Sequence, residues 1–350
     1  MRKSEIIDGL KETDPRRLEE LYRRADDVRR RNVGDEVHLR GLVEISNHCS
    51  RRCHYCGLRA DNAQLPRYRM TEQEILACAE QAVEFGYGTV VLQAGEDYGL
   101  TREFIAGVVE RIKARTPLAV TLSLGERPDD DLVAWRNAGA DRYLLRFETS
   151  NRKLYDRIHP PLGEKTSDRF AILRRLGELG YEVGSGVMVG IPGQTYEDLA
   201  ADVERFRELN LDMIGIGPFL PHPDTPLGAP GEKEFPGQAP ATEEMTYKMV
   251  AVTRLVCPLA NIPSTTALAT LNLASGRELG LTRGANIVMP NLTPTPYRSL
   301  YEIYPAKACV RESAEKCHAC LRARIESIGR RVGAGRGDSP NRLRAEIGKK

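Results

Sequence analysis

Several things are scarce in this chain, and each scarcity closes a door. No stretch of its 350 residues has the uninterrupted apolar length needed to cross a bilayer. The opening residues, Met1 to Asp8, are polar where a secretory signal would be apolar. Charge of one sign is also missing: 51 Lys and Arg face 49 Asp and Glu, a net charge of +2. That balance gives no electrostatic reason to propose nucleic acid or a membrane surface as a partner. Aromatic residues make up only 6%, but a hydrophobic content of 41% supports a real core. No linker rich in Gly, Pro or Ser divides the chain, and no long apolar surface stretch calls for a second copy. The expectation is a cytoplasmic protein, monomeric by default, with one large domain or two ordinary ones. Thiols stay reduced in that compartment, so clustered cysteines suggest metal rather than disulfides.

The most consequential shortage is a fourth cysteine. Cys49-Ser-Arg-Arg-Cys53-His-Tyr-Cys56 is a C-x3-C-x2-C run. Tetrahedral zinc sites close with four ligands, and ordinary 4Fe-4S carriers use four thiolates. Three thiolates on a four-iron cube leave one iron open to bind something else. The spacing lets one tight loop wrap three corners, with Tyr55 placed to shield the cluster. A zinc knuckle borrowing His48 or His54 is the alternative. A second set, Cys309-x7-Cys317-x2-Cys320, has spacing suited to an accessory iron–sulfur cluster, with His318 as a candidate fourth ligand. Reduced surface thiols or a zinc site are its alternatives. Cys78 and Cys257 stand alone and read as packed small hydrophobes.

Residues 14–31 alternate in charge with Leu18, Leu21 and Tyr22 on one face, which predicts a helix outside the main fold, within a helical extension over 1–38. From residue 39, apolar β-rich runs alternate with helix-length segments. Strands are expected at 39–45, 89–94, 118–124, 141–147, 184–189, 212–219, 260–265 and 285–290. Eight such units predict a complete (β/α)8 TIM barrel over 39–320. The loop 226–241 follows the sixth strand and is placed to cover the mouth. From 321 onward nine Lys/Arg face three Asp/Glu, which predicts a solvated, partly disordered basic tail, with a docking segment as the alternative.

Barrel chemistry sits at the C-terminal ends of strands, and polar residues recur there. Gln93-Ala-Gly95-Glu96-Asp97 closes the second strand, where Glu96 is placed to accept from an ammonium group or simply to cap a turn. Arg146-Phe-Glu148 ends the fourth. Charges at i and i+2 point the same way, so they either pair with each other or bind a polar ligand. Arg169, near the start of the next helix, is within reach of the same place. Gly190-Ile-Pro-Gly193-Gln-Thr195 is a turn leading into a capping-box variant, Thr195 with Asp198. The hydroxyls of Ser264, Thr265 and Thr266 and the amide of Asn291 suit a small polar or anionic ligand. His222, alone among prolines, reads more readily as a loop-fixing hydrogen bonder than as a metal ligand.

The run Ser46-Asn-His-Cys49 through Cys56-Gly-Leu-Arg59 resembles the branch of the radical S-adenosylmethionine (radical SAM) enzymes that includes biotin synthase. Arg67-Tyr-Arg-Met-Thr71, Thr121-Leu-Ser-Leu-Gly125-Glu126, Asp141 to Arg146, Gly215-Ile-Gly-Pro-Phe219, Pro221-His-Pro-Asp-Thr-Pro226 and Pro296-Tyr-Arg298 narrow it further. Together, over residues 35–320, they resemble the radical SAM maturase of FeFe-hydrogenase, the HydE family.

That resemblance implies that Cys49, Cys53 and Cys56 hold a 4Fe-4S cluster whose open iron chelates the amino and carboxylate groups of S-adenosylmethionine. It implies Gly95, Glu96, Glu148, Arg169 and Tyr301 as cofactor contacts, and Arg146, Met213, Thr265, Thr266 and Tyr304 as the substrate end. One electron, from a reduced ferredoxin- or flavodoxin-type donor, breaks the sulfonium C–S bond to give methionine and a 5'-deoxyadenosyl radical. The implied substrate is a small anionic iron complex carrying cysteine, CO and cyanide, delivered by another hydrogenase maturase. Its product is a precursor of the di-iron subcluster. Two positions depart from the family pattern: Phe147 stands where His is expected and Ala94 where Ser is. A methylornithine synthase-type radical SAM mutase acting on lysine is the nearest rival. A non-catalytic iron–sulfur scaffold or electron carrier is the rival of another class.

Overall fold

Strands form where β-branched and small residues run between capped helices, and all of them point the same way. A computed structural model describes residues 1–163, 166–228 and 235–341. It contains β1 (Glu36–Ser46), β2 (Thr89–Ala94), β3 (Ala119–Ser123), β4 (Arg142–Leu144), β5 (Glu182–Val189), β6 (Met213–Pro218), β7 (Ile287–Val288) and β8 (Arg331–Val332). Pairing is parallel throughout, in the order β6-β5-β4-β3-β2-β1-β7, with β8 added to the start of β1. Helices cross over between strands, as parallel pairing requires. Many begin with a side-chain cap; Thr71 and Thr195 each form a full capping box, with Glu74 and Asp198 as partners.

The result is an α/β fold built on a seven-stranded parallel half-barrel, and a complete eight-stranded barrel is not shown. The strand expected at 260–265 is reduced to isolated bridges, Met213 with Asn261 and Pro263 with Ile287. Pro263 brings no N–H to a ladder, which shortens any strand through it. The strand expected at 141–147 stops at Leu144. Four residues later Glu148 adopts φ +61 and leaves the extended path.

Two expectations about the ends are corrected. The helix Pro15–Val33 does not lie apart: Leu21, Tyr22 and Ala25 are buried, and it packs on helix Glu243–Val256. The preceding helix, Lys3–Lys11, buries Ile6 and Leu10 completely. The basic tail is not solvated as far as residue 341. Ala314–Ser327 is a helix, β8 pairs with β1, and the chain then crosses beneath the strand N-termini. There Arg336 O accepts from Thr89 and Arg142, Asp338 pairs with Arg142, and Ser339 is fully buried. Arg142 itself is fully buried, and two carboxylates, Glu182 and Asp338, balance its charge. Residues 342–350 of the tail, and 229–234 of the loop expected to cover the mouth, lie outside the described residues. No helix among those described is long and apolar enough to cross a membrane.

Candidate active site

The loop after β1 carries Cys49, Cys53 and Cys56, and the Arg67 motif explains how it is held. The Arg67 guanidinium donates to the carbonyls of Asn47 (2.6 Å), Leu58 (2.8 Å) and Arg59 (2.8 Å), closing the loop on itself. Arg69, two residues on, is bonded to Asp97 at 2.7 Å. The loop also presses against the end of β2. A Cβ on Gly95 would lie 2.3 Å from His48 O and 2.8 Å from Cys49 Cβ, so no larger residue fits.

The three thiols crowd one another. Burial, then the Cys56 and Cys49 neighbours, drives Cys53 well above the ordinary thiol range; burial, then Cys49, pushes Cys56 up to about 12. Against that, backbone N–H groups are turned towards sulfur: Glu96 N lies 3.4 Å from Cys49 Sγ, and Leu58 N donates to Cys56. Amide donors aimed at sulfurs that burial would otherwise keep protonated suit thiolates bound to a cationic cluster. The donor set therefore fits a 4Fe-4S cluster held on three corners. Among the described residues no three His, Cys, Asp or Glu side chains are disposed to hold a single metal ion. His54 O and N are tied to Leu227 and Ile158.

Beside Cys56 opens a cavity of about 310 Å³. It gathers most of the residues picked out in the sequence: Arg146, Glu148, Arg169, Thr265, Thr266, Tyr301 and Tyr304 line it, with Tyr55 on its wall. Glu148 sits there in the left-handed region, a conformation costing about 1–3 kcal/mol for a side-chain-bearing residue. Its Oε2 lies 3.0 Å from Arg146 but off-angle, so this buried oxygen has no aligned donor. Arg146 is bonded to Val187 O at 2.7 Å, and its Nε is also unpartnered. Strained, buried and unsatisfied polar atoms at a cavity wall are what a polar ligand completes.

Glu96 serves a different purpose from the one expected. Its carboxylate accepts from Arg51 Nε (2.6 Å), Glu126 N (2.9 Å) and Tyr98 OH (3.3 Å), and is buried behind the loop rather than lining the cavity. Arg51 also pairs with Glu126 at 2.8 Å. Arg169 continues the network, donating to Glu126 (3.0 Å), to Arg146 O and to His159 Nε2 (2.6 Å). An arginine only donates, so His159 Nε2 accepts and the imidazole is neutral. Burial first, then Arg169 and Arg51, holds its pKa down to about 2. Sequence reasoning missed Arg51, Glu126 and His159; their only signal was a basic residue inside the cysteine loop and an acid after a strand.

A smaller chamber of about 120 Å³ adjoins the first, sharing Gln93, Thr265, Thr266, Ile303 and Tyr304. Here Lys307 pairs with Glu44 at 2.6 Å, Asn291 donates to Glu44, and Arg277 lines the far side. Glu44, an acid within the apolar end of β1, was the missed signal.

Other expectations are corrected. Met213 opens β6 at the opposite end from the cavity mouth, where its sulfur meets Arg40 at 2.8 Å; it does not line the cavity. Phe147 is buried against Phe170 and Phe206 and outside the cavity lining, whereas Ala94 does line it. Of the two departures from the family pattern, only Ala94 bears on the site. His318 stacks on Phe85 and bonds Tyr87, so it is not poised with the C-terminal cysteines. Cys309, at φ +61, accepts weakly from Arg277, Cys317 is buried and Cys320 exposed. His222 fixes its own loop through Asp224 N and Thr225 N.

Three thiols on one loop at the mouth of a parallel half-barrel, beside a polar cavity, define a radical SAM enzyme. The Radical SAM superfamily model matches residues 43–206. The chain is 49% identical over 315 residues, 90% of its length and 87% of the relative's, to the FeFe hydrogenase maturase subunit HydE of Thermotoga maritima. It therefore belongs to the HydE family. Its fold is similar to that of methylornithine synthase (PylB), with a TM-score of 0.82, 25% identity and coverage of 98% and 96% of the two chains. It is also similar in fold to HydG, another maturase of FeFe-hydrogenase, with a TM-score of 0.70, 22% identity and coverage of 83% and 64%.

Proposed function

We propose that the 310 Å³ cavity seats S-adenosylmethionine against Cys56, Glu148, Arg169 and Tyr301, and a small anionic iron complex bearing cysteine, CO and cyanide towards Arg146, Thr265, Thr266 and Tyr304. The observation that carries this reading is the unsatisfied pair at the cavity wall: Glu148 Oε2 suits the cationic end of a ligand, and Arg146 Nε an anionic one. The family's 4Fe-4S cluster and S-adenosylmethionine supply the radical chemistry. This chain's residues hold the cluster at Cys49, Cys53 and Cys56, orient the cofactor and keep water away. Gly95 serves by letting the cysteine loop close on β2, and Glu96 by its backbone rather than its carboxylate.

The remaining parts of the reading are finer. The bridges at Asn261 and Pro263 stand for the missing strand of a closed (β/α)8 barrel. The iron complex arrives from another maturase in the cytoplasm, and the electron from a ferredoxin or flavodoxin. Cys309, Cys317 and Cys320 hold an accessory iron–sulfur cluster that is dispensable for the chemistry.

The test is hydrogenase maturation in an extract lacking only this maturase, with the anaerobically reconstituted protein added back. Hydrogen evolution that depends on S-adenosylmethionine supports the reading. No recovery, with 5'-deoxyadenosine still formed, overturns the substrate and points to lysine, as the likeness to methylornithine synthase would then require.

A further inference from the structure

Two glycines on β6 have no structural reason to be glycine. Four glycines lie on the paired strands β5 and β6, with Gly184 opposite Met213, Gly186 opposite Gly215 and Gly217 opposite Met188. On β5, Gly186 is needed for space against backbone, and Gly184 is crowded by the ends of two flexible side chains. A Cβ on Gly184 would meet Met213 Cε at 2.7 Å and Leu144 at 2.8 Å, and one on Gly186 would meet Gly215 O at 2.0 Å. On β6 the situation reverses. A Cβ on Gly215 would find only Ser185 O, at 3.7 Å, and one on Gly217 would touch Ala267 Cβ and Thr265 Oγ1 at 3.5 Å, ordinary van der Waals contact. Neither has positive φ, so the backbone does not require glycine either. Glycine inside a strand costs about 0.5–1 kcal/mol relative to alanine. Something other than the fold keeps these two positions bare.

Gly217 lines the 310 Å³ cavity beside Thr265, Thr266 and Ala267. Gly215 lies two residues deeper on the same face of the strand, above Met213. Bare backbone at Gly217 widens the cavity where a side chain would narrow it, and Gly215, outside the cavity lining, leaves open space beneath, with only Ser185 O within 4 Å of a Cβ there. We propose that Gly215 and Gly217 are the specificity-determining residues of the substrate end. They leave room for a ligand that is bulky in every direction, as an iron centre with several small ligands is, and that rests against the β6 backbone. A linear amino acid would not need that depth. The inference rests on the substrate reading proposed above.

The test compares Gly217→Ala and Gly215→Ala with wild type by unfolding midpoint, S-adenosylmethionine affinity, and kcat/KM for maturation with the iron–cysteine carbonyl–cyanide complex as the varied component. A misplaced methyl in a pocket is worth about 10- to 200-fold. The expected result is unfolding midpoints no lower than wild type, and a 10- to 200-fold loss in kcat/KM carried mainly by KM. That loss should exceed any fall in S-adenosylmethionine affinity at least tenfold. Gly186→Ala is the control for a packed glycine, with a clear drop in midpoint. Unchanged kcat/KM in both β6 variants overturns the proposal, as does a drop in their midpoints to match Gly186→Ala. An equal loss of S-adenosylmethionine affinity overturns it too, since the glycines then seat the cofactor. If wild type itself supports no maturation, the substrate reading fails and takes this inference with it.

Discussion

Arg51, inside the cysteine loop, reaches back 2.6 Å to Glu96 at the end of β2, and both side chains are almost wholly buried. With Glu126 at 2.8 Å on its other amine, Arg51 bolts the loop to the ends of two neighbouring strands. The three cysteines are thereby held by an ion network as well as by backbone hydrogen bonds.

Removing one partner of a buried ion pair leaves an uncompensated charge, which costs about 3–5 kcal/mol. Arg51→Met should therefore lower unfolding free energy by that order in denaturant titrations and reduce iron retained after reconstitution. Arg51→Lys, keeping the charge but not the fork, should lose less. A Met variant as stable as wild type would remove the network from any account of the loop.

Glu148 offers a cleaner separation of binding from folding. Its free Oε2 contributes no aligned hydrogen bond to the fold, so Glu148→Gln should leave the unfolding midpoint nearly unchanged. A hydrogen bond to a charged group is worth about 1.5–3 kcal/mol, so S-adenosylmethionine affinity should fall roughly 10- to 100-fold. Equilibrium binding to the reconstituted protein at constant iron content would decide it.

How much of this was legible beforehand depended on whether a signal was local. The cysteine spacing, the ends of the second and fifth strands and the Thr195–Asp198 cap are read within a few residues, and those strand ends and that cap are found in place. Glu96 was located correctly but its partner was not, because Arg51 is 45 residues away and only the fold brings them together. Met213 failed for a related reason: being on the right strand does not say which end. The basic C-terminal segment looked solvated because its charges were counted against water. Buried Arg142 and half-buried Asp141 in fact provide partners for Asp338 and Arg336.

Asp202 gives a pH prediction with a definite sign. It is fully buried, accepts from Ser150 N at 2.5 Å, and burial raises its pKa to about 8. A raised carboxyl binds its proton more tightly in the folded state than in the unfolded chain. Between about pH 4 and pH 8 the native state therefore holds more protons, and stability falls as pH rises. Unfolding free energy measured across that window should decline for wild type, and the decline should flatten in Asp202→Asn. An identical slope in both would assign the dependence to other groups.

Lys307 and Glu44 pose the question of whether a buried pair serves stability or the cavity. Their 2.6 Å contact lies in the smaller chamber, whose lining includes both Thr265 and Cys309. Breaking it from either side should be costly, about 3–5 kcal/mol for Lys307→Met, since Glu44 would keep only Asn291. Replacing both, as Lys307→Met with Glu44→Gln, removes the stranded charge and should recover most of that loss. A double-mutant cycle on unfolding free energy measures the coupling directly. If the double variant regains stability but not maturation, the pair is kept for the polarity it gives the chamber. If it regains both, the pair is only a structural strut.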